Sequence, residues 1–378
     1  MTVAALATQR ELFDIPRDVA YLNCSYMAPQ LRSVTEAGLV AVRAKASPWH
    51  VSATDFFTQV EQLRAAFAGL IGADVDAVSL VPAVSYGVAT AAANLPIARG
   101  QTVVTLAEQF PSNVYGWRAA AQQAGGSVVT VPRPPDGDWT RELLAAIDDR
   151  TAVVAVPHCH WTDGSMVDLV RVGEAVRATG AGLVIDASQS LGALPLDLAA
   201  VRPDFVVAVG YKWLLGPFSL GYLYVAEQHR AGRPLEHNWI ARLGSADFTR
   251  LIDYVDDFES GSRRFDVGER SNFVLVPMAL AAIEQLASWT VPAIAATIGA
   301  LTDRVAAGSE GLGYVTSPRA LRGPHMLGLR SVSGVPEGLA ARLAQERVHV
   351  SVRGNSIRVS PHVYNTTEDV DRLLDALR

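Results

Sequence analysis

An acid and an amine stand at the carboxyl ends of two apolar runs. Leu183-Val184-Ile185 stops at Asp186, and Phe205 to Val209 leads through Gly210-Tyr211 into Lys212. Lysine is scarce, with only Lys45 and Lys212 against thirty arginines, so it does not serve as a general surface charge. Lys45 falls in an Ala/Val/Arg helical pattern and is expected in water. Lys212 follows the apolar run and precedes Trp213-Leu214-Leu215, which predicts partly desolvated surroundings. Desolvation depresses an ammonium pKa and yields a nucleophilic amine, as Schiff-base chemistry with an aldehyde requires. The competing reading is a lysine that snorkels from a strand end to water.

If Lys212 holds an aldehyde cofactor, other residues acquire roles. Asp186 could keep a pyridine nitrogen protonated, which makes the ring an electron sink, and Gln189 could donate to a ring hydroxyl. Phe110, which follows a strand-like run, could stack on a flat ring. Ala83, Val84 and Ser85 turn a strand into an Ala-rich helix, where amides and the Ser85 hydroxyl could bind phosphate. A serine at such a place is more often a plain N-cap. Tyr211 is a second phosphate candidate. Arg358 lies in a strand with apolar neighbours, where a guanidinium ordinarily has a carboxylate partner, from the fold or from a substrate. His158 and His160 flank Cys159 without a clustered third ligand, so no metal is assigned. Trp161, Asp163, Trp239 and His325 are the candidates for a substrate-facing wall.

The elements that must position these groups alternate along the chain. Amphipathic helices are expected over Ser33–Ala46 and Thr54–Ile71. Strand-like runs follow at Val78–Val81, Thr102–Leu106, Ser127–Val131, Ala152–Val156, Leu183–Ile185, Phe205–Val209 and Tyr222–Val225, separated mostly by helical stretches. The pattern predicts an α/β fold with a seven-stranded, mostly parallel sheet covered by helices. Ligands of such sheets bind beyond the strand tips. Gly210 to Leu220 is short for a parallel crossover, so Tyr222–Val225 is expected to run antiparallel. Ala226 to Asn272 reads as an irregular polar segment, expected to cover the active site and form a dimer interface. A long helical region over Met278–Ala307 then leads to a small α+β C-terminal part. The expected division is a large domain at 21–265 and a small one from 1–20 and 266–378.

A formal charge of −6 leaves no electrostatic footprint for nucleic acid or an anionic membrane. Cys24 and Cys159 are too few for a disulfide framework, which makes a reduced, cytoplasmic setting the expectation. No run is long and unbroken enough for a membrane span, since Glu284, Gln285, Thr290 and Pro292 interrupt the most apolar stretch.

Taken in order, DASQ, then GYKWLLGP, then IRVSPHVYNT resemble the class V aminotransferase superfamily of pyridoxal-phosphate enzymes, which includes cysteine desulfurases, kynureninases and isopenicillin-N-epimerase-like proteins. The likeness runs from YLNCSYMAP to SPHVYNTTEDVDRLLDAL. It implies an aspartate-aminotransferase-like fold, pyridoxal 5′-phosphate attached to Lys212, and Asp186 paired with the ring nitrogen. Gln189 would contact the phenolic oxygen and Arg358 the carboxylate of a small amino-acid substrate, in a homodimer with active sites near its interface. Phe110 and Tyr211 replace the histidines of desulfurases and look like kynureninase, as does FPSNVY. Between Arg353 and Arg358 there is no room for the desulfurase cysteine loop, so persulfide chemistry is not expected. Val209 stands where the family has a phosphate-binding serine, so part of the phosphate cup must come from elsewhere. The activity expected is transamination or β-elimination (C–S lyase type) after Cα deprotonation by Lys212. Kynureninase-like hydrolysis or epimerisation is the alternative, and a catalytically silent metabolite binder the reading from outside enzymology.

Overall fold

The structure is a computed structural model that describes residues 3–378. All seven expected strands of the large sheet form. After a two-residue strand β1 (Ala20–Tyr21), they are β2 (Val78–Val81), β3 (Thr102–Leu106), β4 (Ser127–Val131), β5 (Thr151–Pro157), β6 (Gly182–Asp186), β7 (Phe205–Val209) and β8 (Gly221–Val225). Their order is β2-β8-β7-β6-β5-β3-β4. Parallel pairing runs from β7 to β4, and β8 is antiparallel to both neighbours, as the short Gly210–Leu220 connection predicts.

The apolar runs are continuous because both faces of the sheet are covered. Leu80, Val104, Val154, Ile185 and Val206 pack into one core, while Val81, Val103, Val153, Val184 and Val207 pack into the other. The two-residue period of a strand sends neighbours to opposite sides, so both must be apolar. Just beyond β5, His158 and Cys159 line different depressions.

The C-terminal part forms a second sheet from β9 (Tyr314–Val315), β10 (Leu327–Ser331), β12 (Ser351–Arg353) and β13 (Ser356–Val359) in the order β12-β13-β10-β9. The intervening β11 (Val348–His349) pairs in parallel with β1. The expected single helical region is two helices, Leu275–Trp289 and Val291–Ser309, bent by 78°. Thr290 makes the break with a left-handed φ of 66°, caps the second helix through its side chain, and is followed by Val291-Pro292, which suits a helix start.

The apolar clusters change over within the C-terminal helices. Val276, Ile283, Leu286, Ile294 and Ile298 belong to the main core, while Leu301 and Val305 join Ala20, Leu22, Leu327 and Val359 in the small one. The seam runs through the second helix, because its first half still faces the large unit.

Ala226 to Asn272 contains only short 3-10 turns. Buried Asp266 anchors it. Its carboxylate accepts from Arg64 Nη2 at 2.7 Å, Arg270 Nη1 at 2.6 Å and the Leu80 amide at 2.7 Å, which ties the segment to β2.

Candidate active site

Strands β5, β6 and β7 deliver Cys159, Asp186 and Lys212 to one cavity of about 200 Å³ beyond their carboxyl ends. Lys212 is only 8% exposed, so the snorkelling alternative does not hold. Burial pushes its ammonium down to about 8, against the pull of Asp186 and with further help from Arg358. Near neutral pH about a tenth of it is therefore the free amine, far more than for an ordinary lysine. Lys45, by contrast, is exposed. Asp186 is also buried, and burial raises its carboxyl while hydrogen bonds from Ser188 and the charge of Lys212 oppose the rise. Its Oδ1 accepts the Ser188 amide at 3.0 Å.

Phe110 and Tyr211 stand on the same wall, with ring centroids 5.4 and 5.7 Å from Lys212 Nζ. Gln189 lines the cavity with its amide held from behind: Oε1 accepts Trp213 Nε1 at 2.9 Å, and Nε2 donates to the Ser25 carbonyl at 3.1 Å. One N–H of that amide is left to face a ligand. Ala83 and Val84 reach the wall as the start of the helix Val84–Asn94, which has no side-chain cap. Its first amides are thus free for an anion, and the helix dipole favours one. Ser85 itself is exposed and off the wall.

Trp161 lines the cavity edge-on to Phe110, with centroids 5.6 Å apart. Its Nε1 donates to the Glu108 carbonyl at 2.6 Å, and Glu108 has a left-handed φ of 56°. Arg133 clamps this corner by pairing with both Glu108 and Asp163. Arg358 is 1% exposed and donates through Nη1 to the Trp161 carbonyl at 2.7 Å. No carboxylate among the described residues pairs with it, and burial pulls its guanidinium down to about 9. Of the two partners expected for Arg358, a carboxylate from the fold is not supplied by the described residues.

Three wall candidates lie elsewhere. Asp163 is off the cavity, bonded to Arg133 at 2.5 Å and to the Ser165 amide at 3.0 Å, because the turn after β5 needs a buried counter-ion. His325 is fully buried behind Gln189, whose carbonyl bonds its Nε2, and packs edge-on to Trp213. Trp239 stands in a separate depression among Phe56 and Phe248, and nothing from Ala226 to Asn272 reaches the cavity within this chain. Gln109, Ser112, Cys159, Ser188 and Ser219 were not assigned to the wall from sequence. Ser188 had a signal, since it sits inside DASQ, and its Oγ accepts the Val209 amide at 3.4 Å where a serine side chain is lacking.

An aldehyde-binding amine, a buried carboxylate, an aromatic face and an uncapped helix start form a donor set that fits pyridoxal 5′-phosphate. Lys212 would take the aldehyde, Asp186 the ring nitrogen, Phe110 the ring face and Ala83–Val84 the phosphate. Fold and site together define the class of enzyme in which a strand-end lysine anchors an aldehyde cofactor. The chain belongs to the aminotransferase class-V family, which matches residues 35–373. It is 29% identical over 323 residues to an uncharacterized aminotransferase, YcbU, of Bacillus subtilis, covering 84% of this chain and 83% of that one. It is 27% identical over 401 residues to the isopenicillin N epimerase of Amycolatopsis lactamdurans, covering 100% and 99%. Among solved structures, a lysine-to-alanine variant of C-DES with glycine covalently linked to its PLP cofactor superposes with a TM-score of 0.88 at 18% identity. The match covers 98% of each chain and is a likeness of fold.

Proposed function

We propose that this chain is a pyridoxal-phosphate-dependent enzyme that removes the Cα proton of a small amino acid, with an aminotransferase or β-lyase outcome. The observation that carries the reading is Lys212: a buried amine, depressed to about 8, on one cavity wall with a buried carboxylate. When bound, the cofactor supplies an electron sink for charge developing at Cα. Lys212 Nζ takes the Cα proton and holds it for return or transfer. Asp186 stabilises positive charge on the ring nitrogen, Arg358 orients the substrate through its α-carboxylate, and Phe110 with Trp161 excludes water. Cys159 lines the cavity, yet burial holds its thiol well above the usual range. A protonated thiol on a strand end is a poor nucleophile, which supports the reading without persulfide chemistry. Burial likewise raises Tyr211, which keeps its phenol protonated and does not favour it as a second base for epimerisation.

A homodimer and a cytoplasmic setting belong to the same proposal. The first is supported by apolar side chains left exposed at Trp49, Ile252 and Tyr254. The second is supported by two cysteines that are both free and buried. The proposal takes the small domain from Leu301 onward together with Ala20–Leu22, a division supported by the small apolar core.

The test is a product assay on purified holoenzyme given a panel of L-amino acids. Pyruvate with ammonia identifies β-elimination, pyridoxamine phosphate identifies transamination, and a racemised amino acid with neither product contradicts the favoured outcomes.

A further inference from the structure

Two guanidiniums flank one residue of the cavity wall, and neither meets an acid. Arg358 Nη1 bonds the Trp161 carbonyl at 2.7 Å, and Arg353 Cζ lies 5.5 Å from the centroid of the Trp161 ring. Arg353 sits at the tip of the β12–β13 hairpin, where it pairs with Ser356, and its one hydrogen bond goes to the Val352 carbonyl. The acids closest to this corner are already engaged, since Arg133 pairs with both Glu108 and Asp163. Asp186 is the single carboxylate on the cavity wall among the described residues.

Resting on the amino-acid reading above, we infer that the substrate carries a second anionic group on its side chain, which Arg353 binds while Arg358 takes the α-carboxylate. Arg353 and Arg358 hydrogen-bond only to carbonyls and meet no carboxylate, and a monocarboxylate would leave one guanidinium uncompensated. A partly buried cation without a counter-ion is costly, and a substrate that supplies the missing charge gains that energy on binding. Burial and then the charge of Arg353 pull the Arg358 guanidinium down. A dianionic ligand compensates both guanidiniums. The uncapped helix start at Ala83–Val84 serves the cofactor's phosphate and leaves these arginines to the substrate. The class is therefore that of aspartate, glutamate and their sulfinate or phosphonate counterparts.

Isosteric pairs separate charge from size. Holoenzyme is titrated with L-aspartate against L-asparagine, and with L-glutamate against L-glutamine, following the visible absorption of the bound cofactor and the heat of binding. At least one acid should bind about tenfold more tightly than its amide, as a new charge-assisted pair implies. Arg353→Gln should bring that ratio close to one, and Arg353→Lys should keep part of it. Amides that bind as well as the acids, or a ratio unchanged in Arg353→Gln, would overturn the inference while leaving the amino-acid enzyme in place. A protein that holds no cofactor and responds to no amino acid would overturn both.

Discussion

Lys212 and Asp186 were legible because their residue types conflict with their surroundings. A lysine in a chain nearly without lysines, and an acid closing a buried strand, each demand a reason. The wall residues lacked such a conflict. Asp163 and His325 do inside the protein what a ligand-binding Asp or His would do toward the cavity, and a sequence does not say which way the side chain points. Arg358 lies between these cases, since its need for an anion was legible while the missing partner was visible only in the structure. Replacing it with methionine removes a buried charge that the fold does not neutralise. Arg358→Met should melt a few degrees higher while binding substrate about 2–5 kcal/mol more weakly, as read by thermal unfolding and by spectral titration. For Asp186→Asn, where the shape survives and the charge does not, turnover should fall on the order of a hundredfold, as measured by initial rates with cofactor in excess.

At the level of elements, the strands were readable because a two-sided sheet imposes continuous apolar runs. The bend at Thr290 was not, because a threonine at positive φ carries no pattern in sequence. The helix Val84–Asn94 starts where the strand-to-helix pattern places it, with Ala83 and Val84 on the cavity wall and Ser85 exposed. Gly87 sets how closely that helix approaches the sheet: a Cβ there would lie 2.6 Å from Val207 Cγ2 and 3.1 Å from Val207 Cβ. Val207 is buried on β7 and cannot yield freely. Gly87→Ala should therefore cost about 1–3 kcal/mol of stability and lift the helix start from the cavity. Calorimetric melting checks the first effect, and weaker binding of pyridoxal 5′-phosphate, with pyridoxal affected less, checks the second.

Across the whole molecule, a large and a small unit were expected to divide at 265/266, whereas the small apolar cluster takes in Leu301 and Val305, and an apolar helix shows no mark in sequence where its packing partner changes. Acid sensitivity also belongs to this scale. Burial pushes His158 down to about 4, and His325 and His362 down to about 3, from an ordinary value near 6.5. These imidazoles are neutral when folded and take up protons more readily when unfolded. The stability they confer is complete above pH 6.5 and is lost as pH falls through about 4 to 3. Asp266, lowered by Arg64 and Arg270 against its burial, adds a loss of the same sign at still lower pH. The melting temperature should thus drop steadily below pH 6.5, and His362→Phe, which fits among Trp213 and Tyr364, should flatten the slope. An unchanged slope would show that His362 is not one of the groups responsible.

The account as a whole rests on which amine holds the cofactor, and the chain offers only Lys45 and Lys212. Borohydride reduction of the yellow protein, followed by peptide mass mapping, should place a pyridoxyl group on the Lys212 peptide and bleach the colour in proportion. An adduct on Lys45, or a pyridoxal-phosphate-saturated protein with no adduct at all, would contradict it.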